Sequence, residues 1–247
     1  RQLKPALRRP LILAATSNME PEAVSKTSSS PTTRSDAFPF ITRRKLIAGF
    51  VPAMMLASAT VLPRLAMAQE QDADLLFDDP DAPIGGNPEG SLTIVNFFDY
   101  NCPFCRRSSG PLDDVVDQDG DIRLIYKDWP ILTEASVTGA LLALAAHRQG
   151  RYEAAHHALM GLDGRADNDT MRAAVASADL DMARLDSDLD GAREEIGSLL
   201  RRNMDQADGL GLRGTPGYIV GPFLVTSALN EDGFRQVVAD ARERMGG

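Results

Sequence analysis

Two cysteines three positions apart, placed where an apolar run ends, constrain this chain more than any other feature in it. The run is Ser91-Leu92-Thr93-Ile94-Val95-Asn96-Phe97-Phe98, β-branched and aromatic as a buried strand requires. It passes through Asp99-Tyr100-Asn101 into Cys102-Pro103-Phe104-Cys105. Proline is favoured at the first position of a helix, where its missing N–H costs no hydrogen bond. The cysteines are therefore expected at a strand-to-helix junction, with Pro111 kinking the helix further on. They are the only two cysteines among 247 residues. Two residues placed at random fall at this spacing roughly once in 120, so chance is a poor explanation.

Three chemistries use such a pair. A tetrahedral zinc site needs two further ligands. His156 and His157 do not supply them together, because adjacent residues on a helix point about 100° apart. A purely structural disulfide would close a very short loop and constrain the unfolded chain little. Disulfide exchange suits a strand–helix junction best. A free cysteine titrates near pH 8.5 and is mostly protonated at neutral pH, whereas the unpaired amides and positive dipole end of a helix N-terminus favour the thiolate. Cys102 is then the expected nucleophile, and Cys105, one turn on, the resolving thiol.

The remaining pattern places strands at 121–127, 217–220 and 223–225, the last two joined by a Gly221-Pro222 turn. Helices are expected over 135–149, 151–160, 170–178 and 191–207. Asp179-Leu180-Asp181 and Asp186-Ser187-Asp188 read as caps or turns between them. Asn230 should cap a last helix with Phe234, Val237, Val238, Ala241 and Met245 as its apolar stripe. Tyr126, Trp129 and Tyr218 are expected in the core. His147, His156 and His157 are expected on helix surfaces. The acidic stretch 179–190 lacks the spacing and glycine of a calcium loop.

Charge divides the chain. Residues 1–68 carry 10 Lys+Arg and 3 Asp+Glu, whereas 69–247 carry 16 and 32. The net charge of −9 argues against nucleic acid as a partner. Within the basic part, Thr42-Arg43-Arg44-Lys45 precedes an apolar run of about 17 residues and then Pro63-Arg64-Leu65-Ala66-Met67-Ala68. A basic segment, a short apolar core and Ala-x-Ala make 41–68 an export signal, with a mature chain over 69–247 expected in the periplasm. The arginine pair before Lys45-Leu46-Ile47 resembles a twin-arginine signal, the alternative being an ordinary secretory signal with two chance arginines. Residues 1–40 are expected to be a disordered or mis-assigned extension.

The segment Phe97-Phe98-Asp99-Tyr100-Asn101-Cys102-Pro103-Phe104-Cys105, together with Gly214-Thr215-Pro216, resembles the DsbA-like thiol:disulfide oxidoreductases of the thioredoxin superfamily. Lys127-Asp128-Trp129-Pro130-Ile131 resembles the family's segment after its second core strand. The resemblance covers residues 78–245. It implies an α/β thioredoxin fold with a helical domain inserted at about 132–210. It also implies a cis Thr215–Pro216 peptide packed against the disulfide, where the Thr215 backbone would pair with a substrate strand. The implied catalytic residues are Cys102 and Cys105; Pro103, Phe104, Thr215 and Pro216 would meet substrate, with no metal or cofactor. The implied partners are reduced secreted proteins and a membrane redox partner that restores the disulfide. With about 20 residues between Gln69 and the first core strand, there is no room for an N-terminal dimerisation module, so a monomer is expected.

Two departures bear on the chemistry. Many family members carry a buried acid six residues before the first cysteine, where this chain has Asn96. An amide cannot take the proton of Cys105, so Asp99, water or another group would have to; alternatively Asn96 is a satisfied core amide. Phe104 stands where strong oxidases of the family have histidine, which implies a less oxidising protein. The competing class is a thioredoxin-fold chaperone or copper-binding protein whose cysteines hold a soft metal ion.

Overall fold

The run Leu92–Phe98 lacks alternation because the strand it forms is buried on both faces. The structure is a computed structural model describing residues 75–246 together with Leu11 and Ile12. In chain order the strands are β1 (Leu11–Ile12), β2 (Ile84–Gly86), β3 (Leu92–Phe98), β4 (Ile122–Asp128), β5 (Gly217–Val220) and β6 (Phe223–Val225). They form one mixed sheet in the order β1-β6-β5-β3-β4-β2. β3 and β4 run parallel, in register from Leu92 opposite Ile122 to Phe98 opposite Asp128. The crossover between them is α1 (Pro103–Asp119). β5 is antiparallel to β3 and pairs antiparallel with β6, as the Gly221-Pro222 turn predicts. The edge strand β2, antiparallel to β4, is too short to be expected from the pattern.

Alternate residues of β3 enter two cores. Ile94 and Phe98 join Leu112, Val115 and Val116 of α1 and Phe234, Val238 and Ala241 of the last helix. Val95 and Phe97 join Ile125, Trp129, Ala207 and Ile219 on the other face. The 121–127 segment is a strand, but its polar positions are not solvated. Lys127 is fully buried, its Nζ donating to the Leu75 carbonyl at 3.2 Å.

Five helices stand between β4 and β5: α2 (Glu134–His147), α3 (Tyr152–Met160), α4 (Asn168–Ala176), α5 (Met182–Gly191) and α6 (Arg193–Gly209). α2 is almost continuously apolar because it lies at the centre of this block, packed against α3, α4 and α5. The Thr133 hydroxyl caps it, accepting from Ser136 N–H at 2.9 Å. α7 (Glu231–Gly246) returns against α1, its first turn capped by Asn230 Oδ1, which accepts from Gly233 N–H at 3.0 Å. The fold is α/β, a thioredoxin arrangement with a helical insertion.

Several local expectations change. α1 runs unbroken across Pro111. His156 is buried at the junction of insert and sheet, not on a surface, because its ring packs among Phe98, Tyr100, Tyr126 and Tyr152. Met245 lies past the buried stripe of α7 and is 54% exposed. Asp181 caps α5, accepting from Arg184 N–H at 3.0 Å, but Asp186 and Asp188 lie inside that helix. There they pair with Arg172 (2.6 Å) and Arg184 (3.4 Å). Among the described residues, no helix is long and apolar enough to cross a membrane. The expected signal at 41–68 lies outside the described residues.

Candidate functional site

Cys102 is the residue just before α1, with an extended backbone at φ −81° and ψ 116°. No side chain caps the first turn, so its free amides are available to the sulfur, and the Phe104 and Cys105 N–H groups reach Cys102 Sγ. A helix terminus left open in this way favours an anion.

Both thiols are buried and unbonded. The Cys105 thiol donates to Cys102 Sγ, and this is the largest influence bringing Cys102 down to about 5. Burial opposes it, while the Thr215 side chain and the two amides assist. Burial above all, then the bond to Cys102, pushes Cys105 far up. One sulfur releases its proton readily and the other keeps it. As a thiol, Cys102 donates to the Thr215 carbonyl at 3.2 Å, across 113 positions of sequence. The Thr215–Pro216 peptide is cis, and Pro216 is buried just before β5. Pro103 opens α1, and Phe104 projects outward, 52% exposed, with the Arg107 guanidinium 4.6 Å above its ring. The structure thus gathers Cys102, Cys105 and Thr215, flanks them with Pro103 and Pro216, and leaves Phe104 on the surface.

The Asp99 carboxylate is committed elsewhere. It accepts the N–H groups of Asn101 (2.7 Å), Ile131 (2.8 Å) and Leu132 (2.9 Å), tying the cysteine turn to the segment after β4. Only the Asp99 backbone reaches Cys105. Asn96 is buried, and its Oδ1 has no hydrogen-bond partner among the described residues. It is therefore not the fully satisfied core amide considered above.

Other residues that hold the site were not anticipated. Arg106 Nε donates to the Tyr100 carbonyl at 2.7 Å, Nη1 to the Gly164 carbonyl, and Nη2 to Asn101 Oδ1 at 3.3 Å. Asn101 Nδ2 donates to Thr133 Oγ1 (2.7 Å) and the Ala166 carbonyl (3.0 Å), and Oδ1 accepts Ala166 N–H (2.9 Å). Beneath them, Tyr100 Oη lies 3.1 Å from His156 Nδ1, and Tyr152 Oη donates to Asp128 Oδ2 at 2.7 Å. Burial raises Asp128 to about 7 and lowers His156 to about 3. These four residues come from two elements, α3 and β4, and one turn, so no single local spacing could have grouped them.

Comparison with known proteins agrees with this geometry. The profile of the DSBA-like thioredoxin domain matches residues 93–239. A thioredoxin-like oxidoreductase from Silicibacter pomeroyi is similar at 42% identity and TM-score 0.65, over 69% of this chain and 97% of that one. The thiol–disulfide exchange protein alpha-DsbA2 of Wolbachia pipientis is similar at 26% identity and TM-score 0.65, over 73% of this chain and 98% of that one. Among curated proteins, the Na+/H+ antiporter NhaA 1 of Mycolicibacterium gilvum is 30% identical over 137 residues, 54% of this chain. The match spans only 22% of that antiporter's length.

Proposed function

The chain belongs to the DsbA-like thioredoxin-domain family, and on that premise we propose that it is an exported dithiol oxidase that passes its Cys102–Cys105 disulfide to secreted polypeptides. The observation that carries this reading is the asymmetry of the pair: Cys102 is held as thiolate and Cys105 as thiol. The Cys102 preference stabilises the reduced form, so the disulfide is readily given up. A substrate thiolate attacks Cys102 Sγ, the Cys102–Cys105 bond breaks, and Cys105 leaves with the electron pair and takes a proton. The second substrate thiolate attacks the substrate sulfur of the mixed disulfide and expels Cys102 as thiolate. The substrate loses two electrons and the dithiol gains them; a membrane-bound oxidant then restores the disulfide.

In this reading Thr215 offers its backbone to the substrate strand, with Pro216 behind it. Pro103 and Phe104 meet the substrate beside the sulfur. The signal at 41–68 supports export, with the extension 1–40 ahead of it and a mature chain from 69. Sequencing the exported protein tests that boundary, and Arg43→Lys with Arg44→Lys should block export if the arginine pair is read.

The enzymatic test uses the mature chain. Cys105→Ser should accumulate mixed disulfides through Cys102, and Cys102→Ser should accumulate none. In an equilibrium titration against glutathione, a potential as low as about −270 mV, the range of a reductant, would overturn the oxidase direction.

A further inference from the structure

Residues 75–246 carry 29 Asp+Glu against 16 Lys+Arg, yet the ground beside Cys102 has the opposite sign. A cleft of about 600 Å³ opens there between the first turns of α1, Leu132 and Thr133 after β4, and the loop 162–165. Arg106, Arg107 and Arg165 line it against one carboxylate, Asp163. Of the twelve arginines elsewhere in 75–246, eight are ion-paired: Arg123, Arg148, Arg172, Arg184, Arg193, Arg202, Arg235 and Arg242. None of the three in the cleft has a carboxylate partner among the described residues. Arg106 spends its donors on neutral oxygens, and Asp99 and Asp163 act on its charge only through space.

The cleft is also built to keep its shape. Arg106 and Asn101 clasp the loop at Gly164 and Ala166, and Asn101 reaches Thr133 on the opposite wall. Pro103, directly after Cys102, and the half-exposed Leu132 supply apolar surface. Phe104 holds the Arg107 guanidinium at the rim.

We propose that this cleft selects substrate polypeptides carrying acidic side chains next to the reacting cysteine, with Arg107 and Arg165 as specificity-determining residues. The proposal rests on the disulfide-exchange reading and names the substrate class of that site. A strand presenting its sulfur to Cys102 extends over Pro103 into the cleft, where its carboxylates meet cations that lack a partner. Partly exposed pairs of this kind are individually weak. Two of them, with attraction during approach, correspond to roughly three- to tenfold in rate at low salt.

The test uses the oxidised mature chain and peptides with one Cys-x-x-Cys pair flanked by Glu, Gln or Lys. At low ionic strength, kcat/KM should fall in the order Glu, Gln, Lys, and the spread should shrink as salt is added. Arg165→Glu is an exposed change and should narrow or reverse the order. Equal rates for the three peptides, or a Lys preference, would overturn the proposal while dithiothreitol oxidation by the same protein leaves the exchange reading standing. Loss of dithiothreitol oxidation overturns both. If reduced glutathione reacts faster than every peptide, the cleft serves a small anionic thiol and the polypeptide assignment falls.

Discussion

Replacing Cys105 by alanine removes the donor with the largest hold on the Cys102 thiolate, and the loss has a computable size. A hydrogen bond to a charged group contributes about 1.5–3 kcal/mol. At about 1.4 kcal/mol per pH unit, Cys102 should rise from about 5 to roughly 6–7 in Cys105→Ala. Cys105→Ser keeps an O–H in the same place and should titrate nearer the native value. Thiolate absorbance near 240 nm, followed from pH 3 to 9, reads each variant directly, and the pH dependence of alkylation checks it. The sign also appears in stability. Cys102 lies below its ordinary value near 9, so the reduced protein's extra stability is complete above pH 9. It is lost as pH falls toward 5. The oxidised protein has no thiolate and should lack this dependence. Coincident titrations of Cys105→Ala and the native chain would refute the donor role. A native titration above pH 8 would refute the whole electrostatic account.

Two further outcomes follow from buried charge. Burial raises Asp128 from 3.8 to about 7, so its contribution to stability declines as pH rises between those values; Asp128→Asn should flatten that decline. In urea unfolding above pH 7 the amide variant should be the more stable, by up to about 4 kcal/mol. Arg202 makes a two-pronged pair with the shielded Asp79 carboxylate, both bonds 2.9 Å. Arg202→Ala should cost about 2–3 kcal/mol in urea unfolding, against less than about 1 kcal/mol for Arg172→Ala at the exposed Asp186 pair.

What the sequence disclosed divides by range of interaction. The strands at 92–98, 217–220 and 223–225, the junction before α1 and the Asn230 cap are written in consecutive residues, and local physics suffices to read them. His156 shows the opposite case. Neighbouring polar and small residues made it look like a surface side chain, and only α3 packing onto Tyr126 of β4 and Tyr100 of the cysteine turn buries it. Asp99 adjoins the cysteine motif and so invited a proton-transfer role. Its three N–H partners include two that lie more than 30 positions away, and these commit it to holding a turn. Arg106 reads as one more surface arginine until the Gly164 carbonyl, 58 positions on, is brought to it. The same distance in sequence hid the gathering of Arg106, Arg107 and Arg165 in one cleft without a direct carboxylate partner among the described residues, since charge pairing is a property of the folded surface.

The direction of the proposed exchange follows from how protons divide between the two sulfurs. A thiol titrating at about 5, not near 9, gains roughly two decades of stabilisation at pH 7 as thiolate. For a two-electron couple, two decades in the equilibrium correspond to about 60 mV toward the oxidising side. Cys105 adds nothing through ionisation, because burial keeps it protonated, but its proton makes the bond that holds Cys102 down. In the reverse, reducing direction, Cys105 must lose that proton to attack the mixed disulfide. Asn96 cannot accept it, and the Asp99 carboxylate already holds three backbone N–H groups. The motif alone is symmetric between donating and accepting a disulfide. In the proposed reading the free amides beside Cys102, which stabilise its thiolate and with it the reduced pair, break that symmetry toward giving the disulfide up, while the missing base beside Cys105 slows its proton transfer equally in both directions.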